Sequence, residues 1–169
     1  EDALGVMSLF SACPYDTDIE VCDGLIARFT DAGHLLGSSS IQLKVKEKNV
    51  TKTIVFSGDI GNTNQPLLKD PGYFKEADYV VMESTYGNRL HGDSPDYVSN
   101  LAKIIEETFK KGGNVVIPSF AVGRTQELLY FIRKIKEEKM ITKYPDFPVF
   151  VDSPLAVEAT RTGKSGYFV

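Results

Sequence analysis

A chain of 169 residues, 42% apolar and with a net charge of −4, suits one ordinary domain or two halves of larger ones and carries enough apolar matter for a packed core. Its acidity excludes a protein that grips nucleic acid by bulk electrostatics, so such a partner would be held locally, by a metal and a few placed cations. No apolar run reaches the roughly 18 residues of a membrane span, and Glu1-Asp2-Ala3-Leu4 lacks the basic and apolar regions of a signal peptide.

In chain order, residues 1–23 read as a helix end and a loop, with Pro14 stopping any helix. The missing initiator Met suggests a piece of something longer. Cys13 and Cys22 read as reduced, structural thiols of a cytoplasmic protein. Residues 25–30 form an apolar strand that runs into Asp31-Ala32-Gly33-His34. Residues 40–46 alternate strictly, with Ile41, Leu43 and Val45 on one face and Gln42, Lys44 and Lys46 on the other, as in a half-buried strand. Residues 47–49 turn, and residues 51–56 return. Residues 62–76 read as a surface loop, and 79–82 as a buried strand ending in Glu83-Ser84-Thr85-Tyr86-Gly87.

The pattern changes near residues 88–93, where a domain boundary is expected. Ser94-Pro95 opens a helix with Val98, Leu101, Ile104, Ile105 and Phe109 at helical spacing, and Gly112-Gly113 closes it. Residues 115–117 read as a buried strand. Residues 119–125 form a loop opening a second helix, with Leu128, Leu129, Ile132 and Ile135 facing inward. Residues 147–151 read as another strand, ending at Asp152-Ser153-Pro154. Helix and strand in alternation predict an α/β unit with a parallel sheet. Residues 162–169 match no element, and Gly163-Lys164-Ser165 lacks the upstream glycine of a phosphate loop, since Glu158 stands there.

Two segments carry metal-binding chemistry. His34 offers an imidazole nitrogen and Asp59 a carboxylate, which together suit first-row metals and can bridge two ions. His34 precedes the outgoing strand of the hairpin and Asp59 follows the returning one. A hairpin brings its open ends together, so the two side chains are expected to be neighbours. Glu83, at the end of a buried strand, needs a partner: a paired group, or backbone amides that cap it. Farther on, Ser119, Gly123, Arg124 and Thr125 sit where a strand meets a helix N-terminus. There amides, hydroxyls and a forked guanidinium could seat a phosphate, unless Arg124 simply pairs with Glu127.

Four motifs follow one another: Asp31-Ala32-Gly33-His34-Leu35-Leu36-Gly37-Ser38, Phe56-Ser57-Gly58-Asp59-Ile60-Gly61, Glu83-Ser84-Thr85-Tyr86-Gly87-Asn88-Arg89-Leu90-His91, and Pro118-Ser119-Phe120-Ala121-Val122-Gly123-Arg124-Thr125-Gln126-Glu127. Together they resemble the β-CASP branch of the metallo-β-lactamase superfamily, over nearly the whole chain to about Ala159.

The resemblance implies an α/β fold. Residues 1–90 would be the C-terminal part of the first metallo-β-lactamase segment, and residues 91–169 the truncated start of a parallel-sheet β-CASP domain. It implies a zinc-dependent RNA-processing nuclease that hydrolyses phosphodiesters with two metals. His34 would ligate one zinc, Asp59 would bridge two, and Glu83 would orient a catalytic histidine. RNA would be the partner, with the protein acting as a homodimer or as a subunit of a processing complex.

The family's principal His-x-His-x-Asp-His motif and its later histidine motifs are absent; His34 and His91 are the histidines present. The two-zinc site is therefore incomplete in this chain, and the chain alone is expected to be inactive, with His91 a poor substitute ligand. Alternative readings are a metallo-β-lactamase-fold hydrolase of a small ester or thioester, a non-catalytic β-CASP subunit, and a plain nucleotide-binding domain.

Overall fold

A computed structural model describes residues 5–90, 92 and 95–163. It divides into two compact units, residues 1–87 and 88–169.

The first unit is a five-stranded sheet in sequential order: β1 (Asp18–Cys22), β2 (Leu25–Asp31), β3 (Ser39–Glu47), β4 (Val50–Phe56) and β5 (Tyr79–Val81). The first four strands are antiparallel neighbours, and β5 joins β4 in parallel. The β3–β4 hairpin lies where the alternating pattern puts it. Its register pairs Glu47 with Val50 across a two-residue turn and Ile41 with Phe56 at the open end.

Strand β1 is absent from the sequence expectation. It is a short edge strand with little apolar signal. Its Asp18 carboxylate accepts hydrogen bonds from Arg28 Nε at 2.6 Å and Lys44 Nζ at 3.1 Å, on β2 and β3. Its backbone pairs with β2, and these exposed charges, rather than a buried apolar face, accompany that pairing.

Two burial expectations fail in this unit. The faces of β3 are not segregated into a covered and a wet side: residues 41–44 are all half-buried, and Val45 is exposed. Strand β5 is exposed along its length, with Val80 at 60%. It forms an edge of the sheet, and its side chains are exposed among the described residues of this unit. The buried residues here are mostly small: Ala27, Thr30, Ala32, Ser40, Val55 and Ser57. The 62–76 loop is not purely a surface loop. Pro71 is buried, and Gly72 N donates to Asp31 O at 2.8 Å, pinning the loop under the end of β2. Cys13 and Cys22 are free and exposed, so neither has a packing role.

The second unit holds α1 (Tyr97–Lys110), α2 (Arg124–Glu137) and α3 (Pro154–Gly163). The cap of α1 is Asp96, whose Oδ1 accepts Ser99 N at 3.0 Å; the expected cap, Ser94, lies outside the described residues. Gly112 at φ 72° and Gly113 close the helix, donating to Phe109 O and Thr108 O. Ala102, Ile105, Ile135, Ile141 and Phe147 form the core, with Phe109 edge-on to both Tyr144 and Phe147. The inward face of α2 is Gln126, Phe131 and Ile135; Leu128, Leu129 and Ile132 flank it, half-buried.

The two strands expected here, 115–117 and 147–151, carry no ladder pairing, and Val116 and Phe150 are each 85% exposed. A parallel strand needs a laterally bonded neighbour, and the described residues supply none for either segment. Helix α3 is not expected from the sequence, in which Asp152-Ser153-Pro154 reads as the end of a strand; Ser153 Oγ caps it by accepting Ala156 N at 3.2 Å. It runs on through Gly163, so the segment expected to match no element is helical at its start.

Candidate metal centre and helix N-terminal seat

Loop 31–38 is organised by its own polar groups. Gly33 N donates to Asp31 Oδ1 at 2.9 Å, and Ser38 Oγ accepts both His34 N at 3.2 Å and Leu35 N at 3.1 Å. Tyr15 donates its hydroxyl to Ser38 O at 2.9 Å. Partial burial, and then the charge of Asp31, raise the Tyr15 phenol above its ordinary range and keep it a donor. These bonds fix the backbone that presents His34.

Loop 57–61 is carried by the ends of β4 and β5. Ser57 N donates to Val81 O at 2.9 Å, extending the parallel pairing one residue past the strands. Gly61 N then donates to Ala32 O at 2.8 Å, joining this loop to the His34 loop. The crossing is close: a Cβ on Gly61 would stand 1.7 Å from Gly33 O and 2.7 Å from His34 N.

As a result His34 Nε2 lies 3.8 Å from Asp59 Oδ2, with side chains 42% and 76% exposed. Two donors on one tetrahedral zinc, each at about 2.1 Å, would be about 3.4 Å apart. An imidazole nitrogen and a carboxylate oxygen at 3.8 Å therefore fit as two ligands of one centre after a small rotamer adjustment. Among the described residues no group of three or more His, Cys, Asp or Glu side chains converges, so His34 and Asp59 stand there as a pair. His91 lies outside the described residues.

Glu83 is half-buried, and its Oε1 accepts Ile60 N at 2.9 Å. Of the two partners open to it in the sequence, a backbone amide takes one oxygen. Ser57 was not singled out from the sequence as a contributor. Its buried hydroxyl accepts Glu83 N at 3.0 Å and donates to Gly58 O at 2.6 Å, while Ser57 O accepts Ser40 Oγ at 2.7 Å. The available signal was a hydroxyl residue directly between a strand end and Gly-Asp.

In the second unit, Gly123 adopts φ 83° and ψ −77°, and Arg124 N donates to Val122 O at 3.2 Å, a γ-turn that a side chain would strain. Ser119 and Thr125 share a hydrogen bond at 2.9 Å between their hydroxyls, and Thr125 Oγ1 reaches Phe120 O at 2.8 Å. Arg124 pairs through one terminal nitrogen with Glu127, three residues on. The guanidinium is well exposed and has further donors, so the pair leaves it able to bind an anion. Gln126 is also missing from the sequence reading. It is 4% exposed, accepts Gly123 N at 2.7 Å, and donates to Ala121 O and Thr160 Oγ1, each at 3.0 Å. A glutamine amid leucines at inward spacing was the signal.

His34, Asp59 and Glu83 thus belong to the first unit, and Ser119, Gly123, Arg124 and Thr125 to the second.

No protein-family model matches the chain. It is 39% identical over 128 residues to Ribonuclease TTHA0252 of Thermus thermophilus, a match covering 76% of this chain and 28% of that protein. It is 33% identical to an RNase J-like protein of Methanocaldococcus jannaschii, covering 98% of this chain and 38% of that protein. Integrator complex subunit 11 of Danio rerio is 33% identical over 147 residues, covering 86% of this chain and 23% of that protein. The chain thus spans well under half the length of these curated relatives.

Proposed function

We propose, because this chain belongs to the β-CASP branch of the metallo-β-lactamase superfamily, that it is an internal piece of a metal-dependent RNA-processing nuclease. Residues 1–90 are assigned to the end of the first metallo-β-lactamase segment, and residues 91–169 to the start of the β-CASP domain. The observation that carries the reading is the approach of His34 Nε2 to Asp59 Oδ2, at 3.8 Å, across the open end of a hairpin.

In this reading His34 and Asp59 are two ligands of a two-zinc centre whose other ligands come from elsewhere in the longer protein. Bound zinc supplies water activation and neutralises charge at the phosphodiester. The chain's own residues hold and orient. Ser38 fixes the His34 backbone, and Gly61 N locks the Asp59 loop onto the His34 loop. Glu83 keeps Oε1 on Ile60 N and has Oε2 to orient a proton-bearing side chain. Arg124, with the Ser119–Thr125 hydroxyl pair and the Gly123 turn, holds a flanking RNA phosphate. The relative named as an Integrator subunit supports action within a processing complex.

The test is RNA cleavage by the full-length protein, with and without a zinc chelator, and in the His34→Ala and Asp59→Asn variants. Cleavage lost in all three arms is the expected outcome. Cleavage that survives the chelator or Asp59→Asn overturns the proposal. Hydrolysis of small esters without RNA cleavage would favour the small-substrate reading.

A further inference from the structure

Asp59 stands between residues that are tied on both sides, yet its own carboxylate is 76% exposed, with the His34 imidazole nitrogen 3.8 Å away. On one side, Ser57 is buried, with its amide, carbonyl and hydroxyl all engaged: to Val81 O, from Ser40 Oγ, and with Glu83 N and Gly58 O. On the other side, Ile60 N is held by Glu83 Oε1 and Gly61 N by Ala32 O. The ties between strand ends are reciprocal. The Ser57 side chain holds the Glu83 backbone, and the Glu83 side chain holds the backbone just past Asp59. A strand end that needed only capping would be served by one of these bonds. Two that cross, and that flank an exposed carboxylate, make a rigid mount for it.

We infer that Ser57 and Glu83 form a reciprocal clamp that positions the Asp59 carboxylate for a divalent cation, with Ser57 a positioning residue acting through Glu83. The inference rests on the metal reading of His34 and Asp59. Its physical content is preorganisation. An exposed carboxylate on a loose turn must be ordered when the cation binds, whereas a clamped one already points where the ion sits.

The experiment measures zinc affinity by chelator competition in the full-length protein, with amide exchange at Ile60 read alongside. Ser57→Ala and Glu83→Ala should each weaken zinc binding by about tenfold to a hundredfold, as lost supporting hydrogen bonds do at metal sites, and should speed exchange at Ile60. Ser57→Thr keeps the hydroxyl and Glu83→Gln keeps an acceptor for Ile60 N. Both should bind zinc near the wild-type level, whatever Glu83→Gln does to turnover. Where Ser57→Ala fails to fold, the two Glu83 variants decide. Wild-type affinity in Glu83→Ala, or equal losses in Glu83→Gln and Glu83→Ala, overturns the clamp and leaves the metal reading standing. A wild-type protein that binds no zinc overturns the metal reading and takes the clamp with it.

Discussion

Gly61 passes so close to Gly33 that the hydrogen in place of a Cβ is what allows the two loops to meet: a Cβ would stand 1.7 Å from the Gly33 carbonyl oxygen. That contact is backbone against backbone, so no rotamer change relieves it. Gly61→Ala should destabilise the first unit by at least about 3 kcal/mol, the upper range of overpacking costs, or push the loops apart. Chemical denaturation of the variant reads the first outcome, and a lower zinc affinity in the full-length protein reads the second. Stability and affinity both at wild-type levels would contradict the crossing.

Gly123 makes the corresponding demand in the second unit. Its φ of 83° and ψ of −77° lie where side-chain-bearing residues are strained. Gly123→Ala should cost about 1–3 kcal/mol, read by thermal or denaturant melts that follow the helical signal. Removing the buried amide with Gln126→Ala takes the partner from the half-buried Gly123 N–H and from Ala121 O, and should cost about 1–3 kcal/mol. The two changes strike one turn, so their costs should fall short of additive in the double variant.

Arg124 can keep Glu127 and still meet a phosphate, because a guanidinium carries five donors. On the nuclease reading, Arg124→Ala should weaken single-stranded RNA binding at every sequence alike. It should also flatten the dependence of log affinity on log salt by about 0.7, the value of one phosphate contact. Fluorescence anisotropy across a salt series measures both. An unchanged slope would assign Arg124 to the Glu127 pair alone.

Three carboxylates link stability to acid. Asp18 is held below its usual range by hydrogen bonds from Lys44 and then Arg28, Asp78 by Lys52 and the Thr53 amide, and Asp96 by Ser99. Each has a depressed folded-state pKa, so each contributes stability above the unfolded value of about 3.9 that is lost as pH falls through the folded one. Melting temperature should therefore drop on acidification below about pH 4, and Asp78→Asn should blunt that drop in the first unit. Lys52 runs the other way. Its pKa is raised, first by the hydrogen bond to Asp78, so its contribution is complete below the unfolded lysine value and fades as pH climbs through the folded one. Melts recorded at both ends of the pH scale test the pair, and an Asp78→Asn protein as acid-sensitive as wild type would remove Asp78 from the account.

What could be read from the residues was local. The alternation of Ile41, Leu43 and Val45 with Gln42, Lys44 and Lys46 gave the hairpin, and the hairpin alone implied that His34 and Asp59 meet; they do, at 3.8 Å. The stop at Gly112-Gly113 was legible too, because a cap is chosen within a few residues of where it acts. Strand β1 is not legible because it is short and mostly exposed, held by backbone pairing to β2 and by Asp18 reaching residues on two other strands. Residues 79–82 and 115–117 looked buried because apolar runs usually are, but burial depends on what lies across the face.

The hairpin, the first two helices of the second unit and the residue types able to bind a metal or a phosphate were therefore written in the chain itself, since each depends on side-chain periodicity or on a turn of a few residues. Tertiary structure alone decided that Glu83 grips the Ile60 amide, that Ser57 grips Glu83 in return, and that Gly61 slides beneath the His34 loop. Those contacts join residues more than twenty positions apart, and hydrogen bonds of such reach leave no periodic trace in the sequence. The two Ser57–Glu83–Ile60 bonds exist because the parallel pairing of β4 with β5 brings two strand ends side by side, and the Gly61 crossing because β3 and β4 pair at their open end.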